Sequence, residues 1–385
     1  MDSFWFFLCA FFLFWEPDYI KSVVRPLDRL FDAGSLLFLL LLTVFYIVRI
    51  REVFGLYDVF LLLTGAVLLG STLYHQGISP AVWKCLKYEW PVAAVTMLVE
   101  LGVRKNPEKL VKALYVMCYV NTAVNLASMY IFPDGLYQGF DSEPQSWLGN
   151  ENVFIMTILA GLCAGYIYTL RNGKKICVHY LVYWLISAAS CRWSATAVIG
   201  IFIFTIFFIL HFFVHVNWIY SLFGGIGLWA AGFFGITVFR FHKRFPVFFE
   251  KVLHRDVTLT LRTKIWSRLM KQFRKSPVWG YGVRTAEQFS DSVGGKRHWV
   301  HAHSYIMELL NKGGLVAVGF FTGLLLATAS RMQPFLEHDE VKIISITLLS
   351  YFMIFIGDCF EMRTLFYVIL CLGSCCSYVV SGAKQ

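Results

Sequence analysis

Charged residues are scarce in this sequence. Asp, Glu, Lys and Arg make up 15% of its 385 residues, whereas soluble domains carry roughly 25%. This shortage, with 58% hydrophobic residues and a mean hydropathy of +0.62, excludes an ordinary soluble domain. Ten cysteines are present without any C-x-x-C pair, so we expect buried thiols that act as small apolar residues. A disulfide between Cys191 and Cys359 is left open.

Apolar runs of about 20 residues recur along the whole chain, which is typical of membrane-spanning helices. The first run, MDSFWFFLCAFFLFWEPDY, has no basic segment and no small-residue cleavage site, so we do not interpret it as a cleaved signal. The first and seventh spans are short for a full crossing. The twelve predicted spans are 3–15, 31–50, 55–74, 81–103, 110–131, 151–170, 176–190, 194–214, 217–238, 304–329, 341–358 and 363–380.

The expected fold is an all-α integral membrane protein with about 12 transmembrane helices. Residues 1–238 hold spans one to nine, 239–303 form one large, partly helical external loop, and 304–385 hold the last three spans. Basic connections at 49–52, 104–109 and 171–175 are expected on the cytoplasmic side, and the acidic connection 133–151 on the outside. With an even span count, both termini are cytoplasmic.

The long loop also carries the excess positive charge. Residues 240–303 contain 14 Lys and Arg against 4 Asp and Glu, a net of +10, which equals the net charge of the whole chain. One explanation is contact with lipid headgroups, and the other is a site for an anionic substrate beside the membrane. Nucleic acid is not expected at an outer membrane face.

Within the loop, residues 259–275 have a helical pattern, which Pro277, Gly280 and Gly282 end. Arg262 falls in the middle of the apolar face formed by Trp266, Leu269 and Phe273. A cation in that position is expected to stack on an aromatic ring or to pair with an anion. The opposite face, with Lys264, Arg268, Lys271 and Lys275, is expected to be solvated or to face headgroups.

Other arginines are predicted on the same outer side. Arg192, in the turn of SCRWSA, is either a site residue or an interfacial anchor beside Trp193. Arg284 and Arg363 are further candidates for substrate binding, although for Arg363 pairing with Asp358 or Glu361 is the simpler interpretation.

Two histidines, His301 and His303, stand where the loop enters the tenth span, in WVHAHSYIMELL. The helix N-terminus and nearby cations disfavour an imidazolium, so His303 is suited to act as a general base. The alternative is an interfacial histidine bonded to backbone. We predict no metal at His298, His301 and His303, because no carboxylate or cysteine stands near them in the sequence.

The order SCRWSA, LRTKIW, KSPVWGYG and HAHSYIMELLNKGG resembles the O-antigen ligase and polymerase family of bacterial envelope glycan enzymes. WLGNENVFIM (147–156) resembles the family's N-P-N segment, with Glu151 in place of proline. The family's two external arginines map to Arg192 and Arg262, and its histidine to His303. Ser304 replaces the asparagine that usually follows this histidine.

The resemblance implies an inverting glycosyltransferase in the bacterial inner membrane, with its active site on the periplasmic or extracellular side. Its donor is an undecaprenyl-diphosphate-linked oligosaccharide or polysaccharide, and no cofactor or metal is expected. His303 is assigned as base, Arg262 and Arg192 as catalytic cations, and His301 as a substrate-binding neighbour. The preferred function is polymerisation of O-antigen or capsular repeat units. The alternatives are ligation of the glycan to a lipid A-core acceptor, or transport of a glycolipid.

Overall fold

A computed structural model describes residues 3–139, 143–173, 176–191, 194–214, 216–244, 262–294, 299–359 and 364–381. These parts are almost entirely helical. The only strands among them, β1 (Tyr137–Gln138) and β2 (Pro144–Gln145), form a short antiparallel pair. The helices are α1 (Phe4–Phe14), α2 (Asp18–Val23), α3 (Arg25–Val48), α4 (Ile50–Val53), α5 (Leu56–Gln76), α6 (Pro80–Lys105), α7 (Pro107–Ile131), α8 (Ile155–Arg171), α9 (Val178–Cys191), α10 (Ala195–Phe213), α11 (Leu222–Gly232), α12 (Arg262–Phe273), α13 (Ala286–Ser292), α14 (Tyr305–Met332), α15 (Asp339–Gly357), α16 (Thr364–Ser374) and α17 (Cys376–Ser381).

Six helices in the described residues are long and apolar enough to cross a membrane: α3, α5, α7, α10, α14 with its extension to Phe335, and α15. Five apolar helices are shorter, namely α1, α8, α9, α11 with its π-helical continuation to Val238, and α16. Helix α6 has the length, but it carries Lys84, Lys87, Glu89 and Glu100. An all-α integral membrane protein is therefore confirmed, whereas the count of twelve crossings and the side of each loop stay predictions.

Burial differs sharply between these helices, and the difference separates lipid-facing from central elements. In the most apolar window of α3 only 17% of the residues are buried, and Leu37, Leu40 and Val44 are exposed. In α15 the corresponding share is 83%, because α8, α10, α11 and α16 surround this helix. Exposed leucines on α3 are consistent with contact to lipid chains, while α15 forms the centre of the bundle.

The loop helix α12 lies on the start of α14, as its apolar face predicts. Its Ile265, Trp266 and Leu269 are buried in one cluster with Met307 and Leu310 of α14. The opposite face is exposed as expected, at Lys264, Arg268, Lys271 and Lys275. The predicted helix 259–275 is observed over Arg262–Phe273, and 245–261 lie outside the described residues.

The turn after α12 docks into a break in α14. Gly314 interrupts that helix with φ +62°, and a Cβ there would stand 2.2 Å from the Val278 carbonyl oxygen. The amides of Tyr281 and Gly282 donate to the carbonyls of Asn311 and Lys312, both at 2.8 Å. Only glycine adopts this backbone without a steric penalty, so the loop and the helix are joined at a glycine-dependent contact.

Candidate functional site

His303 is the residue immediately before the N-cap of α14. Ser304 is the N-cap residue, and His303 has a left-handed backbone with φ +49°. Such a conformation in a residue other than glycine costs on the order of 1 kcal/mol and is found disproportionately at functional sites. The His303 side chain is 25% exposed, so it lies at the edge of the helix bundle and is accessible to solvent.

Asp358 links His303 to Arg262. Its Oδ1 lies 3.4 Å from His303 Nδ1, and its Oδ2 lies 3.3 Å from an Arg262 guanidinium nitrogen. The other terminal nitrogen of Arg262 donates to the Gly357 carbonyl. The expected anionic partner of Arg262 is therefore an aspartate 96 residues away in sequence. Arg262 and His303 hold the same carboxylate from two sides.

The Asp358 carboxylate is ionised because its partners outweigh its burial. Its side chain is only 4% exposed, and burial alone would raise its pKa. The charge of Arg262 and the contacts with His303 act in the other direction and hold the pKa of Asp358 well below its usual range. The site thus places an anion between the Arg262 guanidinium and the His303 imidazole.

His301 packs against the same group. Its ring centroid lies 4.1 Å from that of His303, and its Nδ1 accepts from the His303 amide at 3.3 Å. Cys359 Sγ is also 3.3 Å from this nitrogen. Burial, with the charges of Glu308 and Asp358, raises the pKa of the Cys359 thiol well above its usual value. Cys359 and Cys191 are both free thiols in the described structure, so no disulfide joins them there.

The backbone between the histidines is fixed by two buried side chains. Trp266 Nε1 donates to the Ala302 carbonyl at 2.9 Å, and the Ala302 amide donates to Glu308 Oε2 at 2.8 Å. Glu308 in turn pairs with Lys312 one helical turn later, at 2.7 Å. The tryptophan of the loop motif and the acid of the following helix therefore hold the H-A-H segment in place.

Arg284 is bound within the loop itself. One guanidinium nitrogen donates to Gln272 Oε1 at 3.0 Å and to Ser292 Oγ at 2.7 Å, and the guanidinium lies over the Tyr281 ring at 4.7 Å. Burial lowers the pKa of Arg284 from its ordinary value. These contacts stabilise the fold of the loop, and the predicted role in substrate binding stays a prediction.

Three candidate residues, Arg192, Arg363 and His298, lie outside the described residues. Beside Arg192, however, Ser194 is described, and its hydroxyl donates to Asn152 Oδ1 at 2.6 Å. The segments SCRWSA and WLGNENVFIM, far apart in the chain, therefore meet. Asp358, one of the partners suggested for Arg363, contacts Arg262.

Potential metal ligands at this site are more numerous than the sequence indicated. The ligand atoms of His301, His303 and Asp358 all lie within 4.8 Å of one another. The sequence places no carboxylate beside the histidines, but the fold brings Asp358 to them from the end of α15. Arg262 on that carboxylate opposes a further cation. The signal for Asp358 was its position at the end of the predicted span 341–358, on the same predicted side as the histidines.

Comparison with known families supports the assignment from the motifs. A family model described as Wzy_C, O-Antigen ligase, matches residues 155–322. This segment is similar to the O-antigen ligase family. The resemblance to the O-antigen ligase and polymerase family is thereby confirmed, although the match covers less than half of the chain. No curated protein and no solved structure matches the chain.

The segment that the family model matches contains only part of the site. Arg262, His301 and His303 lie inside the matched residues, whereas Asp358 and Cys359 lie beyond them. The family is associated with membrane glycosyltransferases that act on lipid-linked glycans. The partner of its histidine in this chain comes from α15, which is outside the matched segment.

Proposed function

We propose that this protein is a metal-independent, inverting glycosyltransferase that uses an undecaprenyl-diphosphate-linked glycan as donor and joins repeat units into a longer chain. The observation that carries the proposal is the single carboxylate, Asp358, shared by a histidine and an arginine at a membrane-helix entrance. A general base and a fixed cation are the two groups that this transfer requires.

His303 is the proposed base. Its Nδ1 faces Asp358 at 3.4 Å, a distance that a bound substrate need shorten only slightly to make a hydrogen bond. A proton held on Nδ1 by this carboxylate leaves Nε2 as the free acceptor, as in other His–Asp pairs. Nε2 then takes the proton from the acceptor hydroxyl as that oxygen attacks the anomeric carbon.

Arg262 is the proposed cation for the leaving group. As the new bond from the acceptor oxygen to the anomeric carbon forms, the bond from that carbon to the diphosphate oxygen breaks and leaves negative charge there. A guanidinium 21% exposed and fixed by Asp358 and Gly357 is positioned to stabilise such an oxyanion. Arg192 is proposed as the second cation, and attack on the face opposite the leaving group inverts the anomeric centre.

A ligase is the second candidate, because the matching family model is described as O-Antigen ligase. Its chemistry at the donor is the same, and only the acceptor differs, with lipid A-core in place of a second lipid-linked glycan. The bacterial inner membrane, an external active site and cytoplasmic termini belong to both versions of the proposal.

The test uses purified protein with undecaprenyl-diphosphate-linked repeat units and EDTA, with or without lipid A-core. A ladder of products without lipid A-core supports the polymerase, and product only when lipid A-core is added supports the ligase. His303→Ala is expected to abolish either product, while Lys264→Ala, on the exposed face of α12, serves as the matched control. Activity that EDTA removes and magnesium or manganese restores would refute metal independence, and an unchanged His303→Ala variant would refute the site.

A further inference from the structure

A second polar cluster lies at the opposite end of the bundle from His303. It is formed by Glu100, near the end of α6, by Cys371, near the end of α16, and by Cys375 directly after α16. All three are at most 1% exposed. Their Oε and Sγ atoms all lie within 4.8 Å of one another. Glu100 and Cys371 lie close together because α6 packs against α16.

Hydrogen bonding around Glu100 is incomplete. Its Oε2 accepts from the Tyr46 hydroxyl at 2.6 Å, but its Oε1, which is fully buried, has no hydrogen-bond partner among the residues that the structure describes. The Cys371 thiol donates to the Thr96 carbonyl oxygen at 3.8 Å. A buried polar atom without a partner is costly, so an unpartnered carboxylate oxygen beside two thiols indicates a missing ligand.

We propose that Glu100, Cys371 and Cys375 bind a divalent zinc-type cation. Two thiolates and one carboxylate oxygen form a donor set that borderline-soft ions prefer. Cys371 and Cys375 are four residues apart, so their sulfurs lie on one side of the end of α16, as in other helical ligand pairs. The bound ion gives Glu100 Oε1 the partner that it lacks and cross-links α6 to α16.

An entry path adjoins the cluster. A cavity of 330 Å³ is lined by Arg104, Arg331, Cys375, Cys376 and Tyr378, among others, so Cys375 belongs to both the cavity and the ligand set. Solvent in this cavity supplies the fourth ligand of a tetrahedral ion. Exchange of two thiol protons for one divalent ion leaves the net charge of the cluster unchanged, which limits the cost of burying the ion.

The test measures metal binding directly and requires no glycan. A surface pair, Cys177 Sγ and His179 Nε2 at 2.9 Å, is a competing site, so all variants carry Cys177→Ser. The protein is purified from zinc-supplemented cells for metal analysis and then titrated with cadmium, whose ultraviolet charge-transfer band reports bound thiolates. About one ion per chain is expected. Even changes outside the ligand shell lower metal affinity by about 10- to 100-fold. Cys371→Ser and Cys375→Ser should therefore each lower the affinity by more than this, and each should remove about half of the charge-transfer band.

Two variants separate binding from folding. Glu100→Gln keeps the size of the side chain and both thiols, so it should retain the band with weaker affinity. Cys163→Ser removes a buried cysteine of α8 and should bind like the parent. Each variant is compared only where its size-exclusion profile matches the parent. An equal band in the Cys371→Ser, Cys375→Ser double variant, or a folded parent that binds neither zinc nor cadmium, would overturn the proposal. Neither result bears on the proposed role of His303 as a base.

Discussion

Replacing Asp358 with asparagine tests how the two halves of the proposed site are coupled. The change keeps the side-chain shape and the oxygen that accepts from the Cys359 amide at 3.0 Å. It removes the charge between Arg262 and His303. Unit charges 3.3 Å apart attract by about 5 kcal/mol at an effective dielectric of about 20. Arg262 is 21% exposed and keeps its bond to Gly357, so we expect a net stability loss of about 2 to 3 kcal/mol.

The effect on turnover should exceed the effect on folding. An asparagine offers His303 either an amide donor or a neutral acceptor, so the tautomer with a free Nε2 is no longer enforced. We expect kcat to fall by about 100- to 1,000-fold, equivalent to about 3 to 4 kcal/mol in the barrier. KM for the lipid-linked donor should change little, because Asp358 positions the base and does not itself bind the glycan.

The assay follows product formation per folded protein, with donor concentration varied to separate kcat from KM. Asp339→Asn is the matched control, because Asp339 lies 3.3 Å from His211 Nε2 at the other end of α15. It should leave turnover near that of the parent. If Asp358→Asn lost stability but kept the kcat of the parent in its folded fraction, Asp358 would be structural only and the coupling of base and cation would be refuted.

Three further outcomes are expected. Arg262→Lys cannot reach Gly357 and Asp358 in the same two-point geometry, so kcat/KM in the glycan-transfer assay should fall by about 10- to 100-fold, and a smaller loss would count against a bidentate role. Gly314→Ala places a Cβ 2.2 Å from the Val278 oxygen at φ +62°, whereas Gly319→Ala in the same helix meets no atom within 4 Å. Thermal unfolding should show that Gly314→Ala lowers the free energy of unfolding by about 3 kcal/mol or more and that Gly319→Ala hardly changes it. The pKa of Asp358 is depressed in the folded state. The ionised carboxylate therefore contributes its full stabilisation above the pKa of an unfolded aspartate, near 4, and this stabilisation is lost as the pH falls below 4. The unfolding midpoints of the parent and of Asp358→Asn should therefore converge in acid, and a constant difference would contradict the ion pair.

Local features of the fold were predictable because they depend on neighbouring residues. Apolar runs located the helices within a few residues, since burial in lipid or protein is imposed on each run separately. The helical pattern of 259–275 placed Arg262 on an apolar face and correctly implied a partner for it. Glu308 and Lys312 form an ion pair because one helical turn separates them. The number of crossings did not follow, because short apolar helices are compatible with tilted, partial or protein-buried positions.

The sequence by itself determined the class of protein, the positions of its helices, and the residues that look out of place in an apolar environment. His303 and Arg262 are conspicuous because a polar group buried in or beside a membrane requires a partner, whereas Glu100 became notable only from the structure. Which partner each one has was decided by the tertiary structure alone. Asp358 reaches Arg262 from 96 residues away, and Cys371 reaches Glu100 from a helix near the C-terminus. The packing of whole helices brings such groups together, and no local pattern records which helix ends will meet.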